Sequence, residues 1–143
     1  MLIFFSIVLV LYSLVNIYIF YKGYGAIPEL HDHRLLYSLI FFIFAAIFIA
    51  AKFLESRHSS IITDALNIMG GFWLAFMLYG FMFFLLSDII LLLLRISHII
   101  NADSIPIFRK WSFIITVSLS AVFIIGGFIN AIIPVVKEYN ITI

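Results

Sequence analysis

Uncharged apolar stretches, each long enough to cross a lipid bilayer as a helix, recur four times along the chain. A helix rises 1.5 Å per residue, so a hydrocarbon layer of ~30 Å takes about 20 residues. The pattern predicts spans at about residues 1–21, 35–53, 67–87 and 111–133, and Pro134 ends the last of them. The stretches are apolar on every face and do not alternate with polar residues, which favours helices over barrel strands.

Two of the four stretches need further interpretation. The first has no basic segment before it and is longer than the apolar part of a signal peptide, so we interpret it as a retained span. In the third, apolar residues resume after Asp88. A single helix over residues 65–94 would be about 45 Å long and would have to tilt, break or project beyond the membrane.

Short connections between the spans predict an all-α membrane protein, a four-helix antiparallel up-down bundle over residues 1–134. An even number of spans places both termini on one side. The first and third connections carry five basic residues (Lys22, Arg34, Arg95, Arg109 and Lys110), and the other side carries three (Lys52, Arg57 and Lys137). Because cytoplasmic loops are enriched in Lys and Arg, we expect a multi-pass protein of the cell (inner or plasma) membrane with both termini non-cytoplasmic.

The tail at residues 135–143 follows a different pattern, with Tyr139, Ile141 and Ile143 alternating with polar residues. Period-2 alternation of this kind predicts a short extended strand. Because a single strand needs a sheet to pair with, the tail indicates that the bundle leads into a folded C-terminal domain absent from this chain. A frayed tail is the alternative.

Composition narrows the function classes further. Hydrophobic residues make up 66% of the 143 residues and charged residues only 10%, against about 25% charged in soluble domains. A soluble enzyme, a disordered chain and a nucleic-acid-binding protein are therefore excluded, and the lipid bilayer is the expected partner. The net charge of +1 offers no field for an acidic partner, and the absence of Cys excludes disulfides and thiolate chemistry.

The densest polar cluster is Glu29-Leu-His31-Asp32-His33. His31 and His33, with Glu29 or Asp32, have the donor chemistry for a divalent metal. Nothing nearby completes a tetrahedral set, so the preferred interpretation is a solvated loop or an interfacial cap before the second span.

Three further polar residues are candidates for function. Asp88 lies at the end of the third span, where acidic residues are costly and often functional. Arg95 follows two helical turns later on the same face, so the two would bracket a polar patch or pair with groups on other helices. An ion or proton relay is the functional interpretation, and a charge that fixes the depth of the helix is the structural one. Asn16, inside the first span, is interpreted as an interhelical hydrogen-bonding residue.

No phosphate-binding loop, HExxH or G-x-S-x-G motif is present, so we assign no catalytic residue, metal site or cofactor to this chain.

Four stretches combine polar and aromatic residues with the apolar helices in a characteristic order. They are Asn16-Ile-Tyr18-Ile-Phe20-Tyr21-Lys22; Gly71-Phe72-Trp73-Leu74-Ala75-Phe76 with Tyr79 and Asp88 to Arg95 after it; Gly127-Phe128-Ile129-Asn130-Ala131 with Pro134; and Val136-Lys137-Glu138-Tyr139-Asn140-Ile141-Thr142-Ile143. Together they resemble the N-terminal membrane region of membrane-anchored calcineurin-like metallophosphoesterases, and the resemblance covers essentially the whole chain.

The resemblance implies that a catalytic domain follows the bundle, with two divalent metals for phosphoester hydrolysis held by motifs such as D-x-H and G-N-H-[DE]. None of these motifs occurs here, and Asp32-His33-Arg34 does not match D-x-H. The expected function is therefore the membrane anchor of a metallophosphoesterase-like protein. The alternatives are a stand-alone small membrane protein, such as a transporter subunit or assembly factor, and a bundle that presents a lipid or phosphoester substrate to an attached active site.

Overall fold

Four long helices account for nearly all of the residues that the computed structural model describes, which are residues 2–27, 33–55 and 61–132. The helices are α1 (Leu2–Ala26), α2 (Arg34–Glu55), α3 (Ile61–Ile96) and α4 (Ile105–Ile132), and a short 3-10 turn at Ala102–Ser104 precedes α4. The predicted all-helical bundle is confirmed for this part of the chain. The strand predicted at residues 135–143 lies outside the described residues.

The helices α2 and α3 contain their predicted spans, α1 and α4 contain theirs as far as the described residues reach, and each helix extends beyond its span. The prediction placed residues 22–26, 34, 54–55, 61–64, 95–96 and 105–110 in connections, whereas the structure has them in the four helices. Hydropathy marks only the part of a helix that lies in hydrocarbon, while the backbone hydrogen bonds continue into the polar layer. Pro106 occupies the first turn of α4, where the missing N–H costs nothing, so it marks a helix start.

The third helix is continuous over 36 residues, so the broken helix is wrong, and a helix that tilts or projects beyond the membrane stays a prediction. It ends at Ile96, and His98, two residues later, adopts a left-handed conformation with φ of 53°. The Ile99 N–H donates to the Leu94 carbonyl at 3.1 Å and the His98 N–H to the Arg95 carbonyl at 3.2 Å. This pair of bonds is the Schellman arrangement that satisfies the last carbonyls of a helix.

Both α1 and α3 contact all three of the other helices, and the contacts of α3 with α2 and α4 are the most extensive in the bundle. The buried core is aromatic and aliphatic, with Ile19, Phe41 and Phe84 at its centre. Side-chain contacts along the helix pairs include Tyr12–Phe48 and Phe20–Tyr37 between α1 and α2, Phe41–Trp73 between α2 and α3, and Phe72–Phe128 and Phe84–Phe113 between α3 and α4.

A glycine allows a close approach between α2 and α3. A Cβ atom added at Gly70 would lie 3.0 Å from the Cα of Phe48, whereas one added at the neighbouring Gly71 would meet nothing within 4 Å. Small residues at helix contacts let backbones approach closely, which is how helices associate where lipid removes the hydrophobic drive between them.

The outer surface of the bundle is apolar. Only 11–22% of the most apolar window of each helix is buried inside the bundle. Large apolar side chains, such as Leu35, Ile61 and Val122, are exposed along the helices. Together they form an apolar surface far larger than the apolar patches of a water-soluble monomer. Lipid is therefore the medium that this surface requires.

Candidate functional site

Asp88 is joined to two side chains of α1 near one end of the bundle. The Tyr18 hydroxyl donates to Oδ2 of Asp88 at 2.6 Å, and the Lys22 ammonium forms an ion pair with Oδ1. Tyr18 and Lys22 are four residues apart and therefore share one face of α1. The Lys22 ammonium also lies 5.4 Å from the centre of the Tyr18 ring. Both charged side chains keep partial access to solvent, with exposed fractions of 31% for Lys22 and 40% for Asp88.

A cavity of about 290 Å³ opens beside this ion pair, between α1, α3 and α4. The polar part of its wall comprises Tyr18, Tyr21, Lys22, Ser87, Asp88, Arg109 and Ser112, and the apolar part includes Phe84, Leu91, Phe108 and Phe113. The hydroxyls of Ser87 and Ser112 are hydrogen-bonded to each other, which ties α3 to α4 at the cavity wall. We call these lining residues the Asp88 site.

Asn16 organises a second polar cluster, deeper in the bundle, which we call the Asn16 cluster. Its Nδ2 donates to the Tyr12 carbonyl at 2.8 Å and to Sδ of Met77 at 2.9 Å, and its Oδ1 accepts from the Trp73 indole N–H at 3.1 Å. The Tyr12 hydroxyl donates to the Ala45 carbonyl at 2.7 Å. The cluster therefore links α1 to both α2 and α3, and the predicted interhelical hydrogen bonding of Asn16 is confirmed.

The other two described candidates, Arg95 and His33, lie outside these two clusters. Arg95 is exposed on the last turn of α3, and the carboxylate of Asp88 is paired with α1 instead of with Arg95. His33 is exposed in the turn just before α2. Glu29, His31 and Asp32 lie outside the described residues, so the metal hypothesis for that cluster stays a prediction. Within the described ranges, no three His, Asp or Glu side chains come together, so no ligand set for the implied pair of metals is assigned to the bundle.

Sequence reasoning identified Asp88 but missed its partners. The prediction placed Lys22 in a connection and named Tyr18 only within a stretch that carries the resemblance. The i, i+4 spacing of the two residues and the absence of Gly and Pro from residues 18–22 are the signals that would have placed both on one face near the end of α1. Arg109 was missed because α4 begins at Ile105, before the predicted span, whereas Ser112 lies inside that span and was not singled out.

The fold and this arrangement of polar groups define a multi-pass helical membrane protein, since four helices are long and apolar enough to span a membrane. Comparisons of the chain with family models, with curated proteins and with solved structures find no match. The resemblance to membrane-anchored metallophosphoesterases therefore stays a prediction.

Proposed function

We propose that the bundle is the membrane-anchoring domain of a metallophosphoesterase-like protein, in which it would position a C-terminal phosphoester hydrolase domain. In that arrangement the divalent metals and the phosphoester substrate belong to the attached domain, and the bundle contributes a rigid attachment to the bilayer. The role assigned to this chain is to form a helical bundle that holds the attached domain at the lipid bilayer.

The observation that carries this proposal is the use of polar side chains to join helices. Asn16, Trp73 and Asp88, which stand in the stretches that carry the resemblance, all make interhelical contacts. Hydrogen bonds between helices in lipid contribute about 0.6 kcal/mol each on average and up to about 1.7 kcal/mol. Such contacts favour a fixed bundle that serves as an anchor, because the groups that a relay would need free are engaged.

We further propose an antiparallel up-down arrangement in the cell membrane, with both termini non-cytoplasmic. The contact pairs support it: along α1 and α2 the contacts run from Tyr12–Phe48 to Phe20–Tyr37, so residue numbers rise in one helix as they fall in the other. The same holds for α3 and α4, from Phe72–Phe128 to Phe84–Phe113.

Cysteine accessibility tests the arrangement, since the chain has no native cysteine. Single variants Ile61→Cys and Asn101→Cys place a thiol at an exposed position at either end of α3. In intact cells, an impermeant maleimide should label Ile61→Cys and not Asn101→Cys. Labelling of both from the same side would contradict the proposed topology.

The anchoring function is tested on the product of the natural gene. We expect its reading frame to continue beyond Ile143 into a segment with D-x-H and G-N-H-[DE] motifs. Membranes containing that product should hydrolyse p-nitrophenyl phosphate, and EDTA should abolish this activity until Mn²⁺ is added back. A reading frame without such motifs, together with membranes that lack this activity, would contradict the proposal.

A stand-alone transport or assembly role is the second candidate, and the position of Asp88 beside a cavity favours it. Under this hypothesis Asp88→Asn should abolish the transport or assembly phenotype of a deletion strain in complementation, because the carboxylate would itself act. Under the anchoring proposal, Asp88→Asn should lower stability and leave any localisation to the membrane intact.

A further inference from the structure

The charged residues that line the Asp88 site do not neutralise one another. Lys22 and Asp88 neutralise each other, but Arg109 also lines the cavity. Among residues 2–27, 33–55 and 61–132, the guanidinium of Arg109 has no hydrogen-bond or ion-pair partner, and the side chain is exposed. The described residues that line the cavity thus include two basic groups and one carboxylate, which leaves one positive charge, and the same wall includes the hydroxyl-bearing residues Tyr21, Ser87 and Ser112.

This combination selects the chemistry of a ligand. An Arg guanidinium offers a planar fork of donors that matches phosphate oxygens, and a Lys ammonium adds a compact second charge. Hydroxyl groups supply neutral donors at the same wall. The volume of about 290 Å³ is at the lower end of ligand pockets, roughly 300–1,000 Å³, which suits a phosphate ester and not a large cofactor.

The position of the cavity along the length of the helices also suits the phosphate group of a lipid. Along α3, Asp64 and Asp88 are about 36 Å apart at 1.5 Å per residue, and the stretch between them carries no charge. That length exceeds the ~30 Å of the hydrocarbon layer, so an upright or moderately tilted α3 brings Asp88 to the boundary with the headgroups. Lys22 and Arg109 lie near the ends of α1 and α4 at the same level, as their shared cavity shows.

We propose that the Asp88 site binds a phosphate group, with Arg109 and Lys22 as the charged donors and the hydroxyls of Ser87 and Ser112 beside them. A phospholipid headgroup and a water-soluble phosphate share this chemistry. The proposal is independent of the anchoring function, because it concerns residues of the bundle alone.

The test measures binding to the purified full chain in dodecyl maltoside by native mass spectrometry. The probes are phosphatidylglycerol, diacylglycerol with the same acyl chains, glycerol 3-phosphate and inorganic phosphate. Arg109→Gln removes the unpaired charge, and Arg95→Gln is the matched control, since it removes the same charge from an exposed position outside the cavity. Because neither side chain is paired within the described residues, both variants should fold, which circular dichroism checks.

We expect phosphatidylglycerol to bind and diacylglycerol not to bind. Arg109→Gln should weaken the binding about tenfold, since a hydrogen bond to a charged group is worth roughly 1.5–3 kcal/mol and 1.4 kcal/mol is a factor of ten. Arg95→Gln should change it less than twofold. Glycerol 3-phosphate or inorganic phosphate binding with the same Arg109 dependence would also support the site and would identify the source as water-soluble. Equal effects of the two variants, or equal binding of phosphatidylglycerol and diacylglycerol, would overturn the proposal.

Discussion

Replacing Trp73 with phenylalanine removes the indole N–H that Asn16 accepts at 3.1 Å, while it keeps an aromatic ring between the helices. The ring packs against Phe41, Phe44 and Phe76, at centroid distances of 5.1, 5.6 and 5.6 Å. A smaller ring loses part of this packing, so the single variant mixes two effects. A double-mutant cycle with Asn16→Ala separates the hydrogen bond from the packing.

The coupling energy expected from this cycle follows from the burial of Asn16, which is only 6% exposed. Hydrogen bonds between membrane helices average about 0.6 kcal/mol and reach about 1.7 kcal/mol. Burial in the core places this bond in the upper part of that range, so we expect a coupling energy of about 1–1.5 kcal/mol. Each single variant should cost more than this, because Trp73→Phe leaves the Asn16 oxygen unpaired and Asn16→Ala leaves the indole N–H unpaired.

The assay is equilibrium unfolding by sodium dodecyl sulfate from dodecyl maltoside micelles, followed by near-UV circular dichroism of the packed aromatic residues. Ser13→Ala combined with Trp73→Phe is the control cycle, because Ser13 donates to the Leu9 carbonyl within its own helix. That cycle should show a coupling below about 0.3–0.5 kcal/mol. A coupling that small for Asn16 and Trp73 would refute the reasoning that their bond holds α1 to α3.

Three further features of the fold are tested by substitution in the same unfolding assay. Gly70→Leu should destabilise the bundle by about 1–3 kcal/mol, because the larger side chain forces α2 and α3 apart. Gly71→Leu is the control and should stay within about 0.5 kcal/mol of wild type. Equal effects of the two variants would contradict the close approach at Phe48. His98→Gly should stabilise the bundle by about 1 kcal/mol, because glycine adopts a positive φ without strain, and His98→Ala should give no such gain. Ser120→Ala should stabilise by about 1 kcal/mol, since the fully buried Ser120 hydroxyl has no hydrogen-bond partner within the described part of the chain, and a loss of stability would show that the hydroxyl is satisfied.

The transmembrane segments could be predicted because each is a long run without charge, and the length of the run is itself the signal. The ends of the helices could not be predicted from hydropathy. Lys22 and Arg109 lie in helical turns that are too polar for hydrocarbon, yet the helices continue through them because their backbone bonds are satisfied internally. The prediction of the helix ends was therefore wrong for residues that line the Asp88 site.

The pairing of the helices was equally hidden in the sequence. In a water-soluble bundle, an apolar stripe tells which face of a helix turns inward. These helices are apolar on all faces, so the rotation of α1 that brings Tyr18 towards Asp88 leaves no periodic trace. Asn16 was the exception, because a lone amide in an apolar helix has few ways to be satisfied other than a partner on a neighbouring helix.

The distribution of polar contacts has a consequence for how the bundle assembles. The Asn16 cluster is made by the first three helices, whereas α4 joins them through Ser112 and through aromatic contacts such as those of Phe123 and Phe128. Chains are synthesised from the N-terminus at about 5–20 residues per second, so α1, α2 and α3 are complete before α4 is. The hydrogen bonds of Asn16 can therefore form on the nascent chain, and the walls of the cavity beside Asp88 are completed only when the last helix docks.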